Sequence, residues 1–432
     1  MHESILTDDF TSDPYWWDAA PRPEPAEAAL PARADVVVIG SGYTGLSAAH
    51  TLARGGREIL VLEAQRIGEG ASTRNGGFAA KMSLFGFGDL AAKFGLDRAI
   101  AVHKETKRGR DHVLGLIERE DLACMYKNPG RYIPARTPRH YDALARELDL
   151  MRQHVEIDAD LVPPEAQRQE IASNFYHGGK ILHDSGDLHP GLFHQCLVDR
   201  AIAAGVVLSA RSPVQGVRRE AEGFEVSTNR GAVRARDVIL ATNGYTDAAV
   251  PYFRRRILPV NNYTITTEPL GEDRVRAIFP TGRNMIDTSW LFFSFRPTPD
   301  GTRINFSGRT GYAERPPAEN ARLLHRNMLR VFPQLDGVKI SHCWKGGIGM
   351  TFDFMPHVGM RDGMHYAMGM NGAGVLTGTF LGDKLARRIL GETDTETLFD
   401  CKGFPTVPLY DGRPWFLPMA IGWLALKEAL GR

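Results

Sequence analysis

Residues 36–39 are four apolar positions in a row, Val36, Val37, Val38 and Ile39. The run is too short for a helix and rich in β-branched side chains. It predicts a strand buried on both faces, as in a parallel sheet. Gly40, Gly42 and Gly45 follow with G-x-G-x-x-G spacing, and residues 46–54 predict a helix. A second apolar strand, 59–62, ends in Glu63. Strand, glycine turn, helix, strand and acid in this order predict a dinucleotide site. The first glycine permits the turn, the second lets backbone approach a pyrophosphate, and the third lets helix pack on strand. The helix N-terminus faces phosphate, and Glu63 takes a ribose hydroxyl. A glycine turn that binds nothing is the alternative, disfavoured by the ordered series.

Elsewhere the pattern predicts helices through most of 97–155, with a hairpin of 125–127 and 131–133 about Asn128-Pro129-Gly130. A helix over 191–204 and strands at 205–208 and 212–217 follow. Residues 236–245 read as a buried strand running into the small-residue turn Thr242-Asn243-Gly244. Residues 251–334 read as an inserted, mostly antiparallel sheet, with a hairpin of 290–296 and 303–309. Period two puts Trp290, Phe292, Ser294 and Arg296 on one face, and Arg303, Asn305, Ser307 and Arg309 on one face of the partner. That face is either a solvent face or the ceiling of a substrate pocket. Residues 366–390 read as strand, glycine turn and a helix from 377.

These elements predict an α/β fold (α+β overall), a Rossmann-like nucleotide domain with an inserted substrate domain. The nucleotide domain takes 31–96, 185–250 and 335–400, and the substrate domain takes 97–184 and 251–334. An arm, 1–30, is polar and proline-rich, and its Tyr15, Trp16 and Trp17 pin it to the body or enter the active site. The tail, 401–432, carries an apolar stretch with Pro418 and Gly422 inside. It reads as a docked surface helix, with membrane attachment as the alternative.

Charge narrows the function classes. With 52 basic and 51 acidic residues the chain has no electrostatic footprint for nucleic acid or an anionic membrane. Cys124, Cys196, Cys343 and Cys401 lack metal or redox spacing, which favours a reducing compartment and no structural zinc. His183 and His189 suit structural polar contacts better than a metal. No signal-peptide pattern opens the chain and no stretch matches a membrane span, so a cytoplasmic protein is expected.

The residues after the second strand carry more. Glu63-Ala64-x-Arg66 leads into Gly70-Ala71-Ser72-x-Arg74-Asn75-Gly76-Gly77. This resembles the flavin-dependent amine-oxidising family of D-amino-acid oxidase, glycine oxidase and sarcosine oxidase, and most of all its gamma-glutamylputrescine oxidase branch. The resemblance extends to Trp344-x-Gly-x-x-x-x-Thr351-x-Asp353-x-x-Pro356-x-x-Gly359, so it covers most of the chain. It implies FAD in a glutathione-reductase-type fold, held by Gly40 to Gly45 with Tyr43 and Thr44, by the segment from Glu63 to Gly77, and by Gly347. It also implies adenine against the Val214 backbone, and Thr242, Asn243 and Gly244 over the phosphate and ribitol side. The helix N-terminus at Gly372, Ala373, Gly374, Val375 and Leu376 would meet the pyrimidine end of the ring, where its dipole favours the reduced anion.

The implied reaction is hydride transfer from the carbon beside a neutral amine to flavin N5. Imine hydrolysis and reoxidation by molecular oxygen to hydrogen peroxide follow, a place in polyamine catabolism. Ala373 and Leu376 stand where sarcosine oxidases hold a substrate carboxylate, which disfavours small α-amino acids. A carboxylate several bonds away would take Arg296 or Arg309, with Ser307 beside them in the catalytic set. The strand 304–308 lacks the family's oxygen-activating lysine, leaving Lys345 or Lys81. Cys343 lies a few positions off the family's covalent attachment point, so FAD is expected to be non-covalent. A dehydrogenase passing electrons to a quinone or carrier, and a non-catalytic flavin-binding subunit, remain open. No second G-x-G-x-x-G supports a pyridine-nucleotide monooxygenase.

Overall fold

The computed structural model describes residues 5–22, 29–80, 85–310, 315–400 and 403–429. The apolar run lies in the strand Arg33–Ile39, which sits between the parallel strands Gly231–Leu240 and Ile59–Leu62. Val36, Val37 and Val38 are fully buried, as a strand covered on both faces requires. Val207–Ser209 extends the sheet beyond Ile59–Leu62, and Met364–Met368 adds in parallel to Gly231–Leu240. The helix Tyr43–Arg54 packs on this sheet and against the helix Gly374–Ile389. Ser47 Oγ donates to the Thr379 carbonyl at 2.7 Å, and a Cβ at Gly378 would lie 2.9 Å from Thr44 Oγ1. Small residues let the two helices approach this closely.

The second sheet has nine strands. Its order is Leu6–Thr11, Ile340–Met350, Leu258–Thr267, Ile304–Gly308, Ser294–Pro297, Asn284–Ile286, Arg131–Pro134, Gly179–Leu182 and Ala159–Val162. One row of paired residues crosses it: Ile286 with Ser294, Ser294 with Ser307, Ser307 with Thr264, Thr264 with Trp344. The core behind the sheet is aromatic, with Phe295 and Phe306 stacked at 5.6 Å and Phe332 edge-on to Phe295.

Several expectations change. Ile340–Met350 belongs to the nine-stranded sheet, so the chain rejoins the nucleotide sheet only at His357–Arg361. Residues 125–127 and 131–133 form no hairpin: Lys127 bridges Asp187, while Arg131–Pro134 pairs with Gly179–Leu182 and Asn284–Ile286. Residues 290–293 precede the strand Ser294–Pro297 as a loop. The arm contributes a strand, Leu6–Thr11, that its polar sequence does not announce. The tail forms the helix Leu417–Ala429, whose Leu417 and Ile421 pack against Leu258, Val260 and Met350. Among the described residues no helix is long and apolar enough to cross a membrane.

Candidate active site

Both sheets and both helix N-termini converge on one cavity of about 1190 Å³. The helix Tyr43–Arg54 opens at Gly42 and the helix Gly374–Ile389 at Ala373, and neither N-cap residue supplies a side-chain cap. Gly42, Tyr43, Thr44, Gly372, Ala373, Gly374 and Val375 line the cavity, so two helix N-termini and their partial positive charge border it. A Cβ at Gly45 would fall on the Gly40 carbonyl oxygen, and Gly40 itself has φ +106°, so neither position admits a side chain. Glu63 Oε2 accepts from Ser41 N at 3.0 Å and Ser41 Oγ at 2.7 Å, which orients the carboxylate at the end of its strand. This is a cradle for a dinucleotide: open backbone beside helix N-termini, with an acid where a ribose would lie.

The segment 70–77 closes the cradle. Ser72 Oγ accepts from Tyr43 N at 3.0 Å. Asn75 Nδ2 donates to the Ala71 and Ser72 carbonyls, and Asn75 Oδ1 accepts from Gly77 N at 2.8 Å. Ala71, Ser72, Arg74, Asn75 and Gly76 line the cavity. Glu69 binds Arg66 at 2.7 Å and Arg74 at 3.0 Å, and both guanidinium groups lie over the Trp17 ring. Trp16 Nε1 donates to the Asn75 carbonyl and Trp17 Nε1 to Thr73 Oγ1, each at 2.9 Å. The arm's tryptophans therefore pin this segment rather than enter the cavity. Asn243, with φ +42°, lines the cavity while its Oδ1 accepts from Gly369 N at 2.9 Å. Its neighbours Thr242 and Gly244 and the edge residues Ala64 and Gly70 lie just outside the lining. Val214 is on an outer strand, two residues past Ser212, whose N–H docks on the Glu63 carbonyl at 2.8 Å.

The nine-stranded sheet forms the facing wall. Asn262, Thr264, Ser294, Ser307 and Arg309 line the cavity, and Thr264 and Ser307 share a 2.8 Å hydrogen bond. Of the face expected of this sheet, Ser294, Ser307 and Arg309 line the cavity, whereas Asn305 accepts from Thr266 Oγ1 and Arg303 donates to the Thr267 carbonyl outside the lining. Beside it a loop carries Thr288, Ser289 and Trp290 along the cavity. Its organiser is Asp287, whose carboxylate accepts from Ser289 N, Phe293 N and Tyr176 Oη at 3.1–3.2 Å. Burial pushes this carboxyl up to about 6 despite those donors.

Three expected residues, Arg296, Lys345 and Leu376, need correction. Arg296 is sealed behind the wall, its Nη1 donating to the carbonyls of Gly76, Gly77 and Leu188 and its Nε to that of Pro297. It positions the cradle and does not reach the cavity. Lys345 is exposed and outside the lining, because period two turns it away from Trp344 and Gly346, both of which lie against Arg74. Lys81 lies outside the described residues. Leu376 is buried in the core of the nucleotide domain, since one helical step carries it away from the cavity-facing Val375. A cavity carboxylate would not meet Leu376, so the case against small α-amino acids rests on Ala373, which does line the cavity. Cys343 packs in the aromatic core with its thiol pushed up to about 12 by burial, off the cavity wall. His183 bonds Asp160 at 2.8 Å and His189 caps a helix through Leu192 N. Among the described residues no cluster of His, Cys, Asp and Glu suits a metal.

Sequence reading missed Arg131. The strand Arg131–Pro134 puts Arg131 and Ile133 on the cavity wall, and Arg131 Nε donates to Asn284 Oδ1 at 2.7 Å. Burial pushes the guanidinium down to about 10. Its signal was Arg131 and Ile133 sharing a face across the core residue Tyr132.

Residues 35–388 match the family described as FAD dependent oxidoreductase, DAO. The chain is 31% identical over 402 residues to gamma-glutamylputrescine oxidoreductase of Escherichia coli K12, covering 92% of this chain and 93% of that one. It is 32% identical to a probable oxidoreductase of Haemophilus influenzae, covering 88% of each. Glycine oxidase from Geobacillus kaustophilus superposes with a TM-score of 0.73 at 18% identity, over 88% of this chain and 99% of that one. L-proline dehydrogenase from P. horikoshii gives 0.70 at 20% identity, over 90% and 99%.

Proposed function

The chain belongs to the DAO family of FAD-dependent oxidoreductases, and from that premise we propose that it oxidises the C–N bond of a gamma-glutamylputrescine-type amine, with oxygen as electron acceptor. The observation that carries this reading is the shared cavity, in which the dinucleotide cradle faces a polar wall on the nine-stranded sheet. FAD held in the cradle would supply the two-electron redox chemistry, for a net reaction in which amine, oxygen and water give carbonyl compound, ammonia and hydrogen peroxide.

The chain's own residues do the rest. The helix N-terminus at Gly42 and the Glu63 carboxylate would hold pyrophosphate and ribose. The second helix, at Ala373, places its positive end where negative charge is stabilised. Ser307, Thr264 and Asn262 offer hydroxyl and amide groups to orient a neutral amine, and Trp290 and Phe292 shield it from water. Of the expected catalytic set, Ser307 and Arg309 are the members that face this space.

The test is oxygen consumption by the FAD-loaded protein with gamma-glutamylputrescine, alongside putrescine and N-methyl amino acids. Peroxide formed in step with oxygen consumed supports the proposal. Flavin reduction without oxygen uptake would instead make the protein a dehydrogenase with another acceptor.

A further inference from the structure

We propose that His194 and Arg22 form a positioning pair for the cofactor, holding the Ser41–Gly42 peptide so that its N–H stands ready for the FAD pyrophosphate. The pair serves whichever substrate is oxidised. It makes the N-terminal arm, which supplies Arg22, part of the FAD site.

His194 comes from the helix Pro190–Ala203, which packs beside Tyr43–Arg54, and it is fully buried. Two ring nitrogens in a core are costly unless both are partnered, and an apolar ring would avoid that cost. Both are partnered. Arg22 Nη1 lies 3.2 Å from Nδ1, and Nε2 lies 2.8 Å from the Ser41 carbonyl oxygen. A guanidinium only donates, so Nδ1 accepts and Nε2 carries the ring proton. Burial and the guanidinium push the imidazole down to about 3, so the ring is neutral at neutral pH. Arg22 is held in turn, its Nε donating to the Ala20 carbonyl and its Nη2 to that of Gly191. A Cβ on Gly68 would stand 2.7 Å from His194 Cε1 and 2.9 Å from Arg22 Nη1, so the turn before the 70–77 segment closes over the pair.

Ser41 stands between the first two glycines of the turn. Its N–H and Oγ donate to Glu63 Oε2, and its carbonyl accepts from His194. The carbonyl and N–H of one trans peptide point in opposite directions. Drawing the Ser41 carbonyl to His194 therefore turns the Gly42 N–H away from the histidine, and Gly42 lines the cavity. His194 thus fixes the peptide on the phosphate side, as Ser41 fixes the carboxylate on the ribose side.

The test titrates the full-length apoprotein with FAD, follows urea unfolding of the same samples, and reads phosphorus NMR of the bound FAD. His194→Phe, which keeps an aromatic ring and loses the Ser41 contact, should bind FAD at least about tenfold more weakly. His194→Gln, whose amide can donate to Ser41 while accepting from Arg22, should stay within about threefold of wild type. Arg22→Met should weaken FAD about three- to tenfold and displace the pyrophosphate resonances at saturating FAD. If His194→Phe does not fold, His194→Asn, whose shorter amide reaches Arg22 and not Ser41, should show the tenfold loss in its place. Unchanged FAD affinity in the Phe or Asn variant, equal losses in Gln and Phe, or unmoved phosphorus resonances in Arg22→Met would overturn the proposal. Apoprotein stability lost with FAD affinity retained would likewise return both residues to the fold alone.

Discussion

Arg296 Nη1 donates to the Gly77 carbonyl at 3.3 Å, and a Cβ on Gly77 would come within 2.7 Å of the same nitrogen. The guanidinium comes from the nine-stranded sheet and the glycine from the cradle, so that sheet is fastened to the segment that borders the cavity. Gly77, at φ +74°, is required both by its backbone and by this approach.

Arg296→Lys should therefore lower stability by about 2–4 kcal/mol, because an ammonium cannot reproduce the fork and leaves buried carbonyls unpaired. FAD affinity should fall with it, by about tenfold or more. Urea unfolding of the apoprotein and a fluorescence titration with FAD separate the two effects. A destabilised variant with unchanged FAD affinity would reduce Arg296 to a fold residue.

Gly42→Ala should separate binding from folding in the other direction. Gly42 has φ −74°, which alanine adopts freely, and its Cβ would meet only the Ser72 hydroxyl at 3.0 Å. The apoprotein should stay within about 1 kcal/mol of wild type. FAD should bind at least about tenfold more weakly, since the methyl group stands where backbone meets pyrophosphate. Full FAD retention would move the phosphates elsewhere.

Asp287 sets a pH dependence whose sign is fixed by its raised pKa. Between the unfolded value, about 4, and the folded value of about 6 the native state holds more protons, so stability falls as pH rises through this window. The full effect is about 2–3 kcal/mol. Asp287→Asn still accepts from Ser289 and Phe293 and carries no charge, so it should lack this slope and gain on the wild type above pH 6. Unfolding free energies measured from pH 4 to 8 decide it; parallel curves for the two proteins would return Asp287 to an ordinary carboxylate pKa.

Cys343 should leave the flavin free. Its thiol lies in the core with Ile265 and Phe306, off the cavity wall. Acid precipitation of the holoprotein should put the yellow colour in the supernatant, and Cys343→Ala should cost about 1 kcal/mol without loss of FAD. Colour kept in the pellet would refute this.

How far the sequence reached follows from what each element needs. The nucleotide half was legible because its requirements are local: a β-branched run, glycines at fixed spacing, an acid at a strand end. The strand Leu6–Thr11 was not, since its polar residues are held by backbone pairing to Ile340 and His342 from the far end of the chain. Trp290 was placed in a strand because its alternation is right. Three donors to Asp287, one from Tyr176, fold it into a loop instead. Leu376 turned on a single helical step, which depends on where the helix begins. Arg131 is a lone arginine until Asn284, a distant residue, fixes its Nε and leaves Nη2 unmatched.

The most direct test is anaerobic mixing of the FAD-loaded protein with gamma-glutamylputrescine while the visible spectrum is followed. Bleaching of the yellow flavin to completion by one equivalent, with colour restored on admitting oxygen, is the predicted result. A chain that binds no FAD, or a flavin that stays oxidised with this and every other amine offered, would contradict the account.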